Sequence, residues 1–336
     1  MRGNHDGRQV ITYVISEELI FPRWKNTLRP DDLTNILHLS YCHEIAKIYG
    51  PITLITLAKN LDQALEDDQS IKEVILLEKN KKITDILKIS SQLKKLKLDQ
   101  IYIFYPSPRL FLAGKIAGIK KVFCYPFFKK KKLHLVDAAK KFTCQKLKIN
   151  NCNTETTFKI SEKKIYLTKK FFNTTKFNIV IGAGSSGPDT RWGEENFIKL
   201  INSLNQIGDF FFYIQAGPNQ KNISEKIINN IEKRNCLDLS SKTIREVVPF
   251  FALCDLYVGN DSFMHHVTSQ SQKPAIVLLI NSPRAYTDYS KNYHRIIPPN
   301  ASLDNINHSF LYSPNSITVS MVEKKILEIK AKLTNL

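Results

Sequence analysis

Between residues 259 and 266 the chain reads G-N-D-S-F-M-H-H, which sets a carboxylate (Asp261), a hydroxyl (Ser262) and an imidazole (His266) within six positions. A carboxylate accepts hydrogen bonds from sugar hydroxyls, whereas a serine hydroxyl and an imidazole donate to phosphate oxygens. A second stretch, G-A-G-S-S-G (182–187), offers small residues at Gly184, Ser185 and Ser186, and Arg191 follows closely. Small residues let the backbone approach a phosphate, and a guanidinium fork suits its oxygens. By themselves these residues describe a site for a polar, anionic ligand. Two further sets of residues carry chemistry: the acids Asp31 and Asp32, and four successive lysines, Lys129, Lys130, Lys131 and Lys132.

The elements that must position these groups follow from apolar periodicity. Leu256–Val258 reads as a buried strand, Gly259–Ser262 as a turn, Met264–Ser271 as a helix, and Ala275–Ile280 as a second strand after Lys273-Pro274. In such a strand–helix–strand unit, ligands bind beyond the carboxyl end of the first strand, where the helix start favours anions. The Gly-rich stretch likewise follows a buried strand, Phe177–Ile181, and precedes a helix over 196–205. In the first half, Val10–Ile15 predicts a strand and Asp31–Tyr49 a helix, with Pro30 at its start and Gly50 at its stop. Acids at a helix N-terminus cap it and favour its dipole without any chemistry, so a structural reading stands beside a catalytic one for Asp32. Strands at Ile52–Leu57, Glu73–Leu77 and Gln100–Tyr105 continue the alternation, with a lysine-rich helix at Ile83–Leu96. The pattern is α/β with two parallel sheets, and the polar stretch before residue 175 marks the boundary.

At 336 residues the chain has room for two cores. No apolar run is long enough for a membrane helix, the start M-R-G-N-H-D-G-R lacks the features of a signal peptide, and the six cysteines show no C-x-x-C pair. A cytoplasmic protein is the expectation. The net charge is +18, and residues 1–150 hold 27 Lys+Arg against 15 Asp+Glu. Eleven lysines but one acid, Asp137, lie between Lys115 and Lys148. Lysine-rich codon bias, an anionic membrane and nucleic acid all account for such a charge. Neither a zinc finger nor an aromatic-basic RNA motif is present, which argues against nucleic acid. An acidic glycolipid at a membrane face fits the charge.

G-N-D-S-x-x-x-H followed by K-P and an apolar strand resembles a motif of the lipopolysaccharide heptosyltransferases, glycosyltransferase family 9. The resemblance extends to R-L-F-L-A-G-K-I-A-G (109–118), the Gly-rich stretch, the A-G-P-N-Q turn (216–220) and L-S-S-K-T-I-R-E (239–246). It implies a GT-B fold, two Rossmann-like domains facing across a cleft. Residues 1–175 would bind the acceptor and 176–336 the nucleotide sugar.

The same resemblance assigns Asp261, Ser262 and His266, with the backbone of Phe263, to the donor diphosphate. Phe263 stands where the family has glycine. It assigns Gly184, Ser185, Ser186 and Arg191 to the phosphates as well, Thr190 replacing the family's lysine. Gln220 occupies the place of an acid that holds the ribose. Asp32 falls on the proposed catalytic base, with Asp31 replacing a glycine, and His134 falls where members often carry histidine. Lys129–Lys132 suit an acceptor bearing carboxylates and phosphates.

The implied reaction is inverting transfer of a heptose or related sugar from a nucleotide-diphospho-sugar, such as an ADP-heptose, to an anionic glycolipid or polysaccharide of the cell envelope. The enzyme would touch the inner face of the cytoplasmic membrane. No D-x-D metal motif stands out, so no metal and no cofactor are expected. Two alternatives remain open: a non-catalytic nucleotide-sugar binder, favoured by the departures at Phe263, Thr190, Gln220 and Asp31, and a nucleotide-sugar epimerase on the same fold.

Overall fold

In the computed structural model, which describes residues 10–13, 34–56, 58–77, 85–126, 134–185, 187–306 and 311–334, the apolar runs form strands and the segments between them helices. The first half runs β1 (Val10–Tyr13), a 3-10 turn (Thr34–His38) leading into α1 (Leu39–Tyr49), β2 (Ile52–Thr56), α2 (Leu61–Ala64), β3 (Ile71–Leu76), α3 (Asp85–Lys95), β4 (Gln100–Ile103), α4 (Pro108–Ile116), β5 (Lys121–Cys124) and α5 (Leu135–Leu147). The second runs α6 (Glu162–Lys169), β6 (Phe177–Gly182), α7 (Glu194–Ile207), β7 (Phe210–Gln215), α8 (Lys221–Asn229), β8 (Cys236–Asp238), α9 (Ile244–Leu253), β9 (Leu256–Asn260), α10 (Phe263–Gln270), β10 (Ala275–Leu278), β11 (Tyr293–Ile296) and α11 (Val319–Thr334).

All strand pairs are parallel. The strand orders are β3-β2-β1-β4-β5 and β11-β10-β9-β6-β7-β8. In each sheet the chain starts in the middle, winds outward to one side, then returns to the other. The winding reverses between β1 and β4 in one sheet and between β6 and β9 in the other. Ligands of doubly wound sheets bind outside the strand ends at such a reversal. The central strands β2, β4, β9 and β10 are buried along their whole length, as parallel strands covered on both faces must be. Edge strand β3 shows a mixed pattern and exposes Lys72 and Glu73.

The chain divides into two compact units, Met1–Thr156 and Thr157–Leu336. This division falls one helix earlier than the boundary expected near residue 175, because α6 packs on α9 of the second unit. At the end of the first unit, the His43 ring lies 2.6 Å from Asp68 Oδ2 through Nε2 and meets the Thr156 hydroxyl through Nδ1, tying the last residue to α1. The buried face of α11 (Val322, Ile326, Ile329) joins the core of the second unit alongside α7. One local expectation changes. β9 continues through Gly259 and Asn260, which were read as turn, because both pair or pack within the sheet. α8 ends at Asn229, and the chain goes on into the short β8. α5 has His134 as its N-cap, accepting from the Asp137 amide at 3.5 Å.

One buried base makes the first unit sensitive to acid. His38 is 2% exposed, its ring 5.2 Å from that of Phe104 and 6.3 Å from that of Tyr41, and its nitrogens have no hydrogen-bond partner among the described residues. Burial disfavours the imidazolium and pushes the pKa down from the ordinary 6.5 to about 3. The unfolded chain therefore binds a proton between these values that the folded chain refuses. Stability is fully present above pH 6.5 and falls below it, at up to about 1.4 kcal/mol per pH unit. We expect His38→Leu to reduce that slope in denaturant titrations run from pH 7 to 4. Identical slopes for both proteins would remove His38 as the cause.

Candidate functional site

The reversal between β6 and β9 brings two loops together. Gly182 and Gly259 are paired across these strands, and the Tyr257 ring lies against both. A Cβ on Gly259 would stand 2.4 Å from the Gly182 carbonyl oxygen, and one on Gly182 would stand 2.1 Å from the Tyr257 hydroxyl. Only glycine lets these strand ends approach so closely. The Tyr257 hydroxyl donates to the Asn260 carbonyl at 2.8 Å and lies 3.2 Å from Ser262 Oγ. Burial raises its pKa far above the ordinary tyrosine value, so it remains a neutral donor.

Asn260, fully buried, stitches the loops. Its Nδ2 donates to the Ala183 carbonyl at 2.7 Å, and its Oδ1 accepts from the Trp192 amide at 2.9 Å. Asn281, just beyond β10, does the same one strand over, donating to the carbonyls of Asp189 and Tyr312 at 2.9 and 3.0 Å. The connection from β6 to α7 is thereby held from two neighbouring strands. Trp192 is wholly buried, its indole N–H donating to the Ile317 carbonyl at 2.7 Å, so it packs and does not face a ligand.

Within that connection, several of the expected site residues converge on one peptide. Arg191 donates to the Ser185 carbonyl through Nε (3.3 Å) and Nη2 (3.1 Å). Gln220 donates to the same carbonyl at 2.7 Å and accepts from the Ser185 amide at 3.2 Å. The Ser185 hydroxyl meets that of Thr190, which donates to the Gly187 carbonyl at 2.9 Å. Gly184 lies so close to Gln220 and to the Gly217 amide that a Cβ would come within 2.7 and 3.0 Å of them. Gln220, expected at a ribose hydroxyl, spans the backbone of Ser185 in this structure, and Thr190 braces the loop.

At the other loop, Asp261 and Ser262 precede α10, whose first-turn amides lack partners within the helix. Neither residue caps them: Ser262 has extended backbone and makes no capping bond, its hydroxyl lying by Tyr257. The Asp261 carboxylate is drawn one turn along, to His265 Nε2 at 2.8 Å. A helix N-terminus without a side-chain cap favours an anion. Phe263, at the family's glycine position, is 9% exposed, so its ring is mostly packed inside the unit.

Behind this helix start lies a buried polar cluster. His265 Nδ1 lies 3.1 Å from the Tyr293 hydroxyl, His266 Nδ1 lies 2.6 Å from that of Tyr289, and the two tyrosine hydroxyls touch. Burial pushes the Tyr289 phenol up to about 12, so this hydroxyl keeps its proton at neutral pH. Asp261, His265 and His266 each offer a metal-ligating atom, all within 4.8 Å of one another. Both His265 nitrogens are already bonded, one to Asp261 and one to Tyr293, at the positive end of a helix. That arrangement gives Oδ1 of the carboxylate a partner within the helix.

Asp32, Lys129–Lys132 and Ser186 lie outside the described residues. Sequence reasoning missed Asn260, Asn281, Tyr257 and the tyrosine pair. An asparagine ending an apolar strand, a poor strand former by propensity, was the available signal.

Comparison with known proteins agrees with this geometry. The sequence profile of glycosyltransferase family 9 (heptosyltransferase) matches residues 124–306, more than half of the chain. E. coli ADP-heptose lps heptosyltransferase II is similar over 97% of this chain and 99% of its own, with a TM-score of 0.71 at 16% identity. A family 9 glycosyl transferase from Veillonella parvula covers 98% of both chains with a TM-score of 0.73 at 15% identity. The E. coli heptosyltransferase WaaC, solved with ADP, covers 96% of this chain and 99% of its own, with a TM-score of 0.67 at 14% identity. At such identities the likeness speaks for the fold alone. No curated protein sequence matches the chain.

Proposed function

This chain belongs to glycosyltransferase family 9, the heptosyltransferase family, and from that premise we propose that it transfers a heptose or related sugar from a nucleotide-diphospho-sugar to an anionic glycolipid or polysaccharide. It is a glycosyltransferase with the GT-B fold. The observation that carries the donor reading is the open N-terminus of α10 at the β6/β9 reversal, with Asp261 and Ser262 engaged elsewhere. Its amides, with Arg191 and His266, would take the diphosphate and compensate the charge that builds on it as the leaving group departs. Asp261, oriented by His265, would accept from a hydroxyl of the sugar.

In the first unit, Asp32 would take the proton from the acceptor hydroxyl as it attacks the anomeric carbon with inversion. Lys129–Lys132 would meet the acceptor's phosphates and carboxylates. An ADP-heptose-like donor, a role in lipopolysaccharide biosynthesis, and a cytoplasmic enzyme at the inner membrane face complete the proposal. The functional division remains acceptor binding before about residue 175 and donor binding after it.

The binder alternative draws on one feature of the site: Arg191 and Gln220 are both committed to Ser185. A panel of nucleotide sugars in thermal shift tests the donor reading. At saturation near 100 Kd, a bound donor adds about 2.7 kcal/mol, a rise of about 5–10 °C for domains of this size. We expect a nucleoside-diphosphate sugar to give this shift with EDTA present and to be turned over without added metal. No shift with any donor overturns the reading. A shift abolished by EDTA would instead put a cation on Asp261, His265 and His266, and binding without transfer to any acceptor favours the binder.

A further inference from the structure

We propose that the outer face of α3 and α4 is a docking surface for an anionic lipid bilayer. This deepens the membrane contact suggested above by assigning it to particular side chains. α3 and α4 pack side by side over one core, to which they contribute Ile89, Leu93, Leu110 and Ala113. Their opposite faces carry large apolar side chains that nothing within the unit requires to be exposed. Leu87 is 65% exposed, Leu112 47% and Ile116 48%, and the last two are one helical turn apart, so they form a continuous apolar strip on α4.

The charge around this strip has one sign. From residue 86 to 121 the chain has seven lysines, all exposed, and a single acid, Asp99, which pairs with Lys120 at 3.3 Å. Lys88, Lys94 and Lys95 lie on α3, Lys115 lies between Leu112 and Ile116, and Lys121 opens β5. Lys115 Nζ sits 5.7 Å from the centre of the Phe111 ring, its stem lying along apolar surface. Aliphatic side chains interleaved with lysines suit a bilayer. The leucines and isoleucine enter the boundary between headgroups and acyl chains, and the ammonium groups reach the anionic headgroups. A nucleic-acid surface would call for stacking aromatics and arginines. This face has one half-buried ring, Phe111, packed against the core, and one half-buried arginine, Arg109.

The surface is tested on the full chain with vesicles of phosphatidylcholine alone and of phosphatidylcholine mixed with phosphatidylglycerol, by co-sedimentation. The wild type should bind the mixed vesicles and leave the neutral ones. Lys94→Glu, Lys95→Glu, Lys115→Glu and Lys121→Glu combined should weaken that binding by about 100-fold or more. Leu112→Ser with Ile116→Ser should weaken it by about tenfold and make the remainder vanish at high salt, since only the screened part is left. Both variants should keep the wild-type melting temperature and donor shift, which shows that they fold.

Unchanged vesicle binding by folded variants overturns the proposal. So does tighter binding of the wild type to a single-stranded oligonucleotide than to the anionic vesicles. Vesicle binding that follows the variants while no donor is used would leave this surface standing and remove the transferase reading. Transfer to a soluble acceptor without any vesicle binding would do the reverse.

Discussion

Asp32→Asn is expected to lower turnover by about 10²–10⁴-fold while leaving donor affinity within a few-fold, because the amide cannot accept the acceptor's proton. The motivation is the resemblance of this stretch to the family's, which sets Asp32 on the position of the proposed base. The donor groups belong to the second unit, so a loss confined to turnover identifies proton transfer and not binding. Asp31→Asn is the control: it shares the start of the predicted helix but not the motif position. If Asp32 only favours the helix N-terminus, asparagine serves about equally well and the cost is a few tenths of a kcal/mol. Equal and small effects on steady-state turnover at the two positions would take Asp32 out of the mechanism.

The second large effect is structural. Asn260→Ala removes the bond to the Ala183 carbonyl and the bond to the Trp192 amide, both inside a fully buried environment. Each backbone group left without a partner costs about 1–3 kcal/mol, so a loss of about 3–5 kcal/mol is expected. That lowers the melting temperature by about 10 °C for a unit of this size. It also loosens the Gly184–Ser185 loop, so donor affinity should fall further than stability alone predicts. Asn260→Asp separates the two contacts. It keeps an acceptor for Trp192 but faces the Ala183 carbonyl with a carboxylate oxygen, and should be at least as damaging. If Asn260→Ala melts within about 1 kcal/mol of the wild type, the stitch contributes no more than an ordinary surface contact.

Much of this protein was decided locally and could be read from the chain. The apolar runs at Phe177–Gly182, Leu256–Asn260 and Ala275–Leu278 specify parallel strands buried on both faces, the first two each followed by a polar loop and a helix. Asp261, Ser262 and His266 lie close in sequence, so their shared place at a helix start needs no tertiary information beyond the βαβ unit. Charge is likewise additive along a chain, and the excess of lysine in the first half needed no coordinates.

What each side chain does with its polar atoms was decided only in three dimensions. Gln220 was read as a ribose contact. It spends both ends of its amide on Ser185, 35 residues away, because β6 and β7 are neighbours and bring the two turns together. Asn260 was read as part of a turn. It became the link between loops because sheet order sets β9 beside β6, 77 residues earlier. His265 found partners in Asp261 and, 28 residues on, in Tyr293. Residue spacing shows which groups are present at a strand end. Which of them remain open to a ligand depends on whether a buried neighbour needs them first, since a buried donor or acceptor must find a partner and takes the nearest one that folding supplies.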